Sequence, residues 1–237
     1  MNIAVVVASG GLDSCVTAAL AKKTNELALM HVQYGQRTML RELQSFQSIA
    51  KNLNARKTIV FQMTHFSAIG GSSLTDQNLA IRLSGIEKQG IPQTYVPFRN
   101  ANILSAAVSW AEVIGAKKIF IGVNSLDSSG YPDCRPEFID AFNAAVKKGT
   151  RPDSNIVVTA PLLDKTKMEI VQLGVKSLAP IEKSWSCYKD SDIACGICDS
   201  CRLRIQGFQK AGYIDPIPYA IDIEWGNCKS IEICSDT

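Results

Sequence analysis

The chain has 237 residues, of which 46% are hydrophobic and 20% are charged, and this composition excludes a mainly disordered protein. Its 25 lysines and arginines against 22 aspartates and glutamates leave a net charge of +3, which gives no support for a polybasic nucleic-acid-binding protein. The apolar run at residues 3–8 is too short to span a bilayer and follows no basic segment, so we expect a cytoplasmic protein without a membrane partner.

The first part of the chain alternates predicted strands with predicted helices. Residues 3–8 (IAVVVA) and 27–32 (LALMHV) are apolar runs without alternation, as in strands that are buried on both faces. Residues 57–62 (KTIVFQ) predict a third strand, and apolar spacing predicts helices from Asp13 onwards and over residues 41–53. This βαβαβ order indicates a parallel sheet with helices on its faces.

Residues 70–90 interrupt the pattern, because they are polar, contain four glycines and show no strong period. We predict a long excursion over the surface, of the kind that often acts as a lid. The alternation then resumes, with further helices predicted over residues 102–115, 137–148 and 165–174 and strands over residues 118–123 and 156–159.

The C-terminal residues show a different, alternating pattern. Apolar and polar side chains alternate over residues 219–225, and Gly226 and Asn227 separate them from residues 228–234. This pattern predicts a hairpin with a type II′ turn.

The turn between the first strand and the first helix is a candidate phosphate-binding loop. Residues 9–14 (SGGLDS) contain two glycines that let the backbone point N–H groups inward, and the start of a helix adds partial positive charge. The two serine hydroxyls can donate hydrogen bonds to phosphate, whereas Asp13 is suited to capping the helix or holding Mg²⁺. The loop is neither a Walker A motif nor G-x-G-x-x-G, which disfavours a kinase-type or dinucleotide site. A capped turn without a ligand is the alternative.

Four of the eight cysteines form a candidate metal site with the spacing C-x₇-C-x₂-C-x₂-C. Four thiolates in a short stretch suit a closed, tetrahedral zinc site in a reducing compartment. An iron–sulfur cluster is the main alternative, although Ile205 stands where a ferredoxin run needs its next cysteine, and four independent thiols are the other. The predicted ligands are Cys187, Cys195, Cys198 and Cys201.

Three arginines are candidate ligand-binding residues: Arg37, Arg99 and Arg135. Each follows a predicted strand or precedes a predicted helix, which is where open α/β sheets bind ligands. Their planar guanidinium groups suit carboxylate or phosphate, and a solvated surface arginine is the alternative for each. Cys134 resembles a nucleophile, but no histidine accompanies it, and His31 lies inside a predicted buried strand. Covalent cysteine catalysis is therefore disfavoured.

Several motifs together resemble one enzyme family. SGGxDS on the first strand–helix turn is the pyrophosphate-loop motif of the adenine-nucleotide α-hydrolase-like superfamily. Residues 34–37 (YGQR), 96–100 (VPFRN) and 129–135 (SGYPDCR), together with the cysteine pattern, resemble the 7-cyano-7-deazaguanine synthases of queuosine biosynthesis. The resemblance covers residues 3–213, and SGYPDCR and the cysteine spacing are more specific than the loop.

The resemblance implies an ATP-dependent C–N ligase that forms a nitrile from 7-carboxy-7-deazaguanine and ammonia. Such enzymes cleave ATP between the α and β phosphates, so AMP is favoured over ADP as the product. The implied cofactors are ATP, Mg²⁺ and Zn²⁺, and a homodimer is implied. Two alternatives stay open: a related ligase that uses a protein amine, suggested by the C-terminal extension and Phe98, and an inactive zinc- and nucleotide-binding module. A tRNA-thiolating enzyme would usually need a basic RNA-binding surface, and no nucleic-acid partner is expected.

The candidate site residues fall into sets by task. The nucleotide-binding set runs through the loop and the first helix: Ala8, Ser9, Gly10, Gly11, Leu12, Asp13, Ser14, Cys15, Val16, Thr17 and Ala18. The catalytic set comprises Ser9, Asp13, Ser14, Arg37 and Lys167, the last placed by resemblance on the pyrophosphate side of ATP. The substrate-binding set comprises Arg99, Tyr131, Asp133 and Arg135, of which Tyr131 and Asp133 are expected to recognise the guanine-like heterocycle.

The predicted fold is thus α/β, with a Rossmann-like three-layer architecture around a five-stranded parallel sheet. A small C-terminal element with a four-cysteine zinc site and a hairpin follow it. The predicted units are an ATP-pyrophosphatase-type α/β domain over residues 1–180, a zinc-binding subdomain over 181–214 and a hairpin extension over 215–237.

Overall fold

The computed structural model describes residues 2–76, 78–79, 90–126 and 131–231. The strands are β1 (Asn2–Val7), β2 (Asn25–Gln33), β3 (Lys57–Gln62), β4 (Lys118–Ile121) and β5 (Val157–Thr159). The helices are α1 (Leu12–Lys22), α2 (Met39–Asn52), α3 (His65–Ile69), α4 (Arg99–Ile114), α5 (Pro136–Gly149), α6 (Lys167–Lys176) and α7 (Asp199–Ala211). None of the helices in these ranges is long and apolar enough to cross a membrane.

The five strands form one parallel sheet in the order β3-β2-β1-β4-β5, which confirms the predicted fold class. Adjacent residues on β1 point to opposite faces, as strand geometry requires. Val5 packs in a cluster with residues of α4 and α5, whereas Val6 packs in a cluster with residues of α1 and α2. Both faces of the sheet are therefore covered by helices, and the architecture has three layers.

The strand order creates a crevice at one edge of the sheet. The chain runs outward from β1 to β3 and then returns to place β4 on the other side of β1. Because all strands are parallel, the loops after β1 and β4 diverge at the same edge, which is where open α/β sheets bind ligands. Gly122, directly after β4, allows a close approach, since a Cβ atom there would lie 3.0 Å from the backbone of Asp13.

The predicted C-terminal hairpin is wrong over the described residues. The turn forms, since the Cys228 N–H donates to the Trp225 carbonyl at 3.1 Å, but no paired strands flank it. Tyr219 instead makes an isolated bridge with Ala194, and Lys229 makes one with Tyr213. The alternating side chains pack against the cysteine-rich segment and α7, so the pattern reflects docking onto the domain rather than strand pairing. Cys234 lies outside the described residues.

Part of the predicted surface excursion is buried. Ser72, Ser73 and Leu74 are at most 5% exposed, and the Ser73 N–H donates to the Gln93 carbonyl at 3.0 Å. Buried backbone and hydroxyl groups here have internal hydrogen-bond partners, which is what permits a polar segment to be enclosed. Residues 77 and 80–89 of this segment lie outside the described residues.

Two helices were not predicted. The helix α3 has only five residues, which is too short for a periodic pattern to show. The helix α7 buries Cys201, Arg204, Ile205 and Phe208, at the i, i+3, i+4 and i+7 positions of one helix face. That signal was present in the sequence, but a cysteine and an arginine supply two of its four positions.

Candidate active site

A cavity of about 370 Å³ opens at the sheet edge where β1 and β4 end. Its wall combines the loop after β1, the segment after β2, the starts of α4 and α6, and the cysteine-rich segment that leads into α7. The charged side chains in the described part of this wall are Asp13, Arg37, Glu42, Arg99, Lys167, Asp199 and Arg204. A cavity with this mixture of cations and carboxylates suits a ligand that carries both anionic groups and hydrogen-bond donors.

The loop after β1 is folded tightly enough to bring N–H groups to the cavity. Gly10 has a φ of +90°, and a Cβ atom there would lie 2.5 Å from the Glu42 carbonyl oxygen, so only glycine fits. Gly11 precedes the first residue of α1, and no side chain caps that helix. The hydroxyl oxygens of Ser9 and Ser14 lie 3.2 Å apart, and Ser14 Oγ donates to the Gly11 carbonyl at 3.0 Å. This arrangement can bind a phosphate through backbone N–H groups, hydroxyls and the helix dipole.

Lys167 is held beside this loop by the start of α6. Thr166 and Glu169 form a capping box around the first turn of α6, which fixes the position of Lys167. The ammonium group of Lys167 donates to both carboxylate oxygens of Asp13, at 2.7 and 2.8 Å. Gly207 of α7 makes room for the stem, since a Cβ atom there would lie 2.4 Å from Lys167 Cγ. Lys167 therefore places a cation at the phosphate end of the cavity.

The predicted nucleotide-binding residues divide into two groups in the structure. The cavity wall contains Ala8, Ser9, Gly11, Leu12, Asp13 and Ser14, whereas Gly10 packs against Glu42 and Ser45 and is not part of the wall. The side chains of Cys15, Val16, Thr17 and Ala18 are fully buried in α1. Cys15 and Ala18 pack in the cluster with residues of β2 and α2, and Val16 packs in the cluster with residues of α6, so this helix is enclosed on more than one side. Nucleotide contact by these four residues stays a prediction.

Arg37 lines the cavity, but its guanidinium is used by the protein itself. It donates hydrogen bonds to the carbonyl oxygens of Ser73 and Asp76, both at 2.9 Å, and to that of Leu79. Arg37 thereby attaches the described part of the 70–90 segment to the rim of the cavity. Its predicted catalytic role stays a prediction.

Arg99 begins α4 and lies among aromatic side chains in the cavity wall. The preceding residue, Phe98, has a left-handed backbone (φ +56°) that turns the chain into the helix. Arg99 Nη1 donates to the Tyr34 hydroxyl at 2.8 Å, and the guanidinium carbon lies 5.3 Å from the centroid of that ring. Burial raises the pKa of Tyr34 to about 12, so the phenol stays neutral and does not itself compensate the arginine charge. Arg99 thus offers a cation to an anionic ligand group.

The SGYPDCR motif contributes one cavity residue from the predicted substrate set. Tyr131 lines the cavity, and its hydroxyl is hydrogen-bonded to Thr94 Oγ1 at 2.6 Å. Asp133 is 3% exposed, and its Oδ2 accepts from the Asn100 N–H at 2.8 Å, so it lies behind the wall and caps α4. Arg135 is exposed at the start of α5. Neither Asp133 nor Arg135 contributes to the described wall, and their contact with substrate stays a prediction; Ser129 and Gly130 lie outside the described residues.

Cys134 lines the cavity without the surroundings of a nucleophile. Burial raises the pKa of its thiol to about 12, and Asn100 Nδ2 lies 3.3 Å from the sulfur. Because a pKa raised above the ordinary value keeps the thiol protonated at neutral pH, its thiolate is negligible. His31 is no partner, since it is fully buried with Nδ1 3.0 Å from the Ala8 carbonyl oxygen.

Replacing Cys134 with alanine is therefore expected to keep turnover within about threefold of the unchanged protein, because no step uses the thiolate. Turnover should be measured from pH 6 to pH 9 for C134A and for the matched variant C228A, whose cysteine lies outside the cavity wall. Loss of activity in C134A alone, with an unchanged melting temperature, would contradict this expectation.

The four predicted metal ligands converge in the structure. The Sγ atoms of Cys187, Cys195, Cys198 and Cys201 all lie within 4.8 Å of one another, and all four residues are buried. The N–H groups of Lys189, Asp190 and Cys195 lie 3.3–3.4 Å from Cys187 Sγ and donate to it. Such donors stabilise thiolates, so the residues fit a zinc ion in an all-sulfur tetrahedral site. Cys228 lies outside the cluster.

Replacing Cys195 with serine is expected to abolish stoichiometric zinc binding and to lower the melting temperature, because the metal would close the cysteine-rich segment. Metal content by plasma mass spectrometry and thermal unfolding should be measured together. C228S is the matched control and should keep one zinc per chain. Iron with acid-labile sulfide in the purified protein would contradict the zinc assignment.

A buried ion pair holds the cysteine-rich segment against the rest of the wall. Arg204 of α7 and Asp215 form two hydrogen bonds, of 2.6 and 2.9 Å, and their side chains are 2% and 0% exposed. Arg204 also donates to Ser184 Oγ at 2.9 Å, and the Tyr219 hydroxyl donates to Asp215 Oδ2 at 2.7 Å. The network joins α7 to the segment before the cysteines and to the C-terminal residues, and so fixes the wall.

The sequence as a whole can be placed in a family. The family described as queuosine biosynthesis protein QueC matches residues 3–212. The chain belongs to the QueC family. Proteins named 7-cyano-7-deazaguanine synthase are similar over nearly the full length: that of Chlorobium chlorochromatii is 50% identical over 95% of this chain and 99% of its own. That of Koribacter versatilis is 52% identical, with 92% of this chain and 93% of its own covered.

Among solved structures, NMN synthetase from Francisella tularensis is similar with a TM-score of 0.44 and 17% identity, covering 75% of this chain and 62% of that one. At that level the similarity carries no argument about this QueC family member.

Sequence reasoning missed several residues of the cavity wall in this QueC family member. Tyr34, Tyr188 and Asp199 all line the cavity, and each lies within or beside a motif on which the resemblance depends. The motifs indicated that these segments are functional, but we interpreted the cysteine-rich segment as a metal site alone. Only folding shows that the residues between the cysteines face the same cavity as the phosphate loop.

Proposed function

We propose that this chain is an ATP-dependent 7-cyano-7-deazaguanine synthase that acts on 7-carboxy-7-deazaguanine and ammonia. One observation carries the proposal: a single cavity brings together a loop built for phosphate, the ammonium of Lys167 and the guanidinium of Arg99. An enzyme that activates a carboxylate with ATP needs cations at two places, one for the phosphates and one for the carboxylate. The names of the relatives support the same activity.

The phosphate end of the cavity supplies the electrostatics of activation. A carboxylate is a poor electrophile because oxide is a bad leaving group, and adenylation replaces that leaving group with AMP. The N–H groups at the start of α1, the hydroxyls of Ser9 and Ser14, and Lys167 stabilise the charge that develops on the departing pyrophosphate. Asp13 would offer carboxylate oxygens, which Mg²⁺ prefers, to an ion bound with ATP, and that ion would supply further positive charge near the phosphates.

At the other end of the cavity, Arg99 orients the substrate. Arg99 binds the carboxylate of the heterocycle and holds it in line with the α phosphate, which is a gain in positioning. Ammonia then attacks the adenylate to give an amide, and a second activation of the amide oxygen followed by loss of AMP gives the nitrile. Cys187, Cys195, Cys198 and Cys201 would hold a zinc ion that fixes the cavity wall, and four thiolate ligands would leave it no open position for the substrate.

The two alternatives from the sequence are not favoured. The protein-amine ligase rested on the C-terminal extension and on Phe98, but residues 215–231 of the extension, which the structure describes, dock without a paired hairpin. Phe98 is 62% exposed and does not contribute to the cavity wall. An inactive module is disfavoured because Lys167, Arg99 and the phosphate loop all line one cavity. The homodimer, which rests on the resemblance, belongs to this proposal. So do the cytoplasmic location and the division at residues 180 and 214, which rest on the sequence pattern.

The test is a turnover experiment with the purified protein, 7-carboxy-7-deazaguanine carrying oxygen-18 in its carboxylate, ATP, Mg²⁺ and ammonium. We expect the nitrile, pyrophosphate and AMP, with labelled oxygen transferred to AMP, all read by mass spectrometry. Label in orthophosphate together with ADP would contradict adenylation. Product on a protein amine instead of the free nitrile would favour the alternative ligase, and absence of ATP–pyrophosphate exchange would favour the inactive module.

A further inference from the structure

The carboxylate of Asp199 belongs to the cavity wall and has one oxygen without a hydrogen-bond partner among the described residues. Asp199 is the first residue of α7 and lines the cavity, and its Oδ1 is a buried atom that accepts no hydrogen bond from the described residues. Thr17 Oγ1 and His31 Nε2 are the other such atoms in that part of the chain, and neither residue contributes to the cavity wall. An unsatisfied buried carboxylate oxygen is costly, so its presence in a ligand cavity points to a donor on the ligand.

The other carboxylates of the described cavity wall are already engaged. Asp13 accepts two hydrogen bonds from Lys167. Glu42 accepts from Gln36 Nε2 at 3.1 Å and from Thr38 Oγ1 at 2.9 Å. Asp133, which the sequence suggested for this task, accepts from the Asn100 N–H and lies behind the wall. Asp199 is thus the described cavity carboxylate with a buried oxygen that accepts no hydrogen bond from the described residues.

The chemistry of the proposed substrate matches this acceptor. The pyrimidinone edge of a 7-deazaguanine presents two parallel donors, the ring N1–H and the 2-amino group, and an aspartate carboxylate presents two parallel acceptors. The phosphates of ATP and the carboxylate of the substrate are anions that Asp199 repels. A negative group at this position therefore favours the donor edge of the heterocycle and disfavours the reversed orientation, while Arg99 attracts the carboxylate.

Resting on the proposed function, we propose that Asp199 is a specificity-determining residue that accepts hydrogen bonds from the N1–H and 2-amino groups of the deazaguanine. With Asp199 on this edge and Arg99 on the carboxylate, the two charged side chains set the orientation in which the carboxylate meets ATP. Asp199, which lies between two of the metal ligands in sequence, would then recognise the substrate, and the metal site would hold Asp199 in a fixed position.

The experiment compares two substrates in the full-length, zinc-loaded protein. One is 7-carboxy-7-deazaguanine, and the other is its analogue without the 2-amino group. For the unchanged protein we expect the analogue to have a KM about 30-fold higher, since one charged acceptor loses its donor. In Asp199→Asn the KM of the natural substrate should rise by about the same factor, whereas the KM of the analogue should change by less than about threefold. The difference in KM between the two substrates should therefore disappear.

A merely structural Asp199, which would favour the start of α7 through its charge, predicts a different set of changes. It predicts lower zinc content and a lower melting temperature, with both substrates affected equally, and this result would overturn the proposal. A Mg²⁺ ligand predicts a higher Mg²⁺ requirement in Asp199→Asn with discrimination unchanged, which would also overturn it. The matched control is Asp192→Asn, an exposed aspartate of the same segment that lies outside the cavity wall.

Failure of the proposed function would be recognised separately. If the unchanged protein makes no nitrile, isothermal calorimetry of the two heterocycles still measures their relative affinity without turnover. A preference for the 2-amino compound that Asp199→Asn removes supports the recognition role even then. Equal affinities in the unchanged protein would overturn it whether or not turnover is seen.

Discussion

Replacing Lys167 with methionine is expected to lower kcat about 100- to 1,000-fold, the usual effect of removing one preorganised group that stabilises transition-state charge. The ammonium lies 2.7 and 2.8 Å from the carboxylate oxygens of Asp13 at the phosphate end of the cavity. Without it, the negative charge of Asp13 faces the phosphates directly, so activation of the carboxylate is slowed. Initial rates at saturating ATP and substrate, together with ATP–pyrophosphate exchange, measure the effect.

The neighbouring lysine provides the control. Lys165 pairs with Asp164 at 3.0 Å and lies outside the cavity wall, so Lys165→Met should change kcat by less than about twofold. In the Lys167→Met variant, methionine keeps most of the apolar stem of Lys167 that packs beside Gly207, which limits any change in folding. A Lys167→Met protein that retains more than a third of the original kcat would show that this cation does not act on the leaving group.

Replacing Asp215 with alanine is expected to lower the free energy of unfolding by about 3–5 kcal/mol, because it leaves the Arg204 guanidinium buried without its counter-charge. Two further donors, the Tyr219 hydroxyl and the Ile217 N–H, lose their acceptor. The melting temperature should fall by roughly 6–20 °C, given about 2–4 °C per kcal/mol for a chain of this size. Guanidinium denaturation at fixed zinc concentration measures the change.

Two controls separate charge burial from general damage. Asp222→Ala removes an exposed aspartate from the same C-terminal segment and should change stability by less than about 0.5 kcal/mol. The double variant Arg204→Met with Asp215→Leu removes both charges and should recover most of the stability, because apolar pairs replace buried ion pairs well. If the double variant is less stable than Asp215→Ala alone, the network rather than the unpaired charge is responsible.

The sheet and most of its helices followed from the sequence because their signals are local. The unbroken apolar runs that became β1 and β2 are buried on both faces, and the glycines after β1 could only be a tight turn before a helix. The prediction of a C-terminal hairpin was wrong over the described residues for the complementary reason. Alternation shows that Tyr219 and Trp225 each have a buried side, but it does not show whether another strand or the surface of α7 covers that side.

The candidate site was predicted in part. The tight glycine turn after β1 and the convergence of the four cysteines were predicted because the residues of each lie close together in sequence. Asp133 and Asp199 could not be distinguished in the same way, since both are aspartates inside specific motifs. Their difference lies in the tertiary structure, where Asn100 satisfies Asp133 and no described residue satisfies Asp199.

The sequence by itself determined the parallel α/β fold, the phosphate loop and the cysteine cluster, because each is encoded by short-range spacing of side chains. The tertiary structure alone decided that the loop, Lys167, Arg99 and the start of α7 share one cavity. The physical reason is that the strand order brings distant segments to one sheet edge, and close packing then selects which polar groups are paired internally and which are left for a ligand.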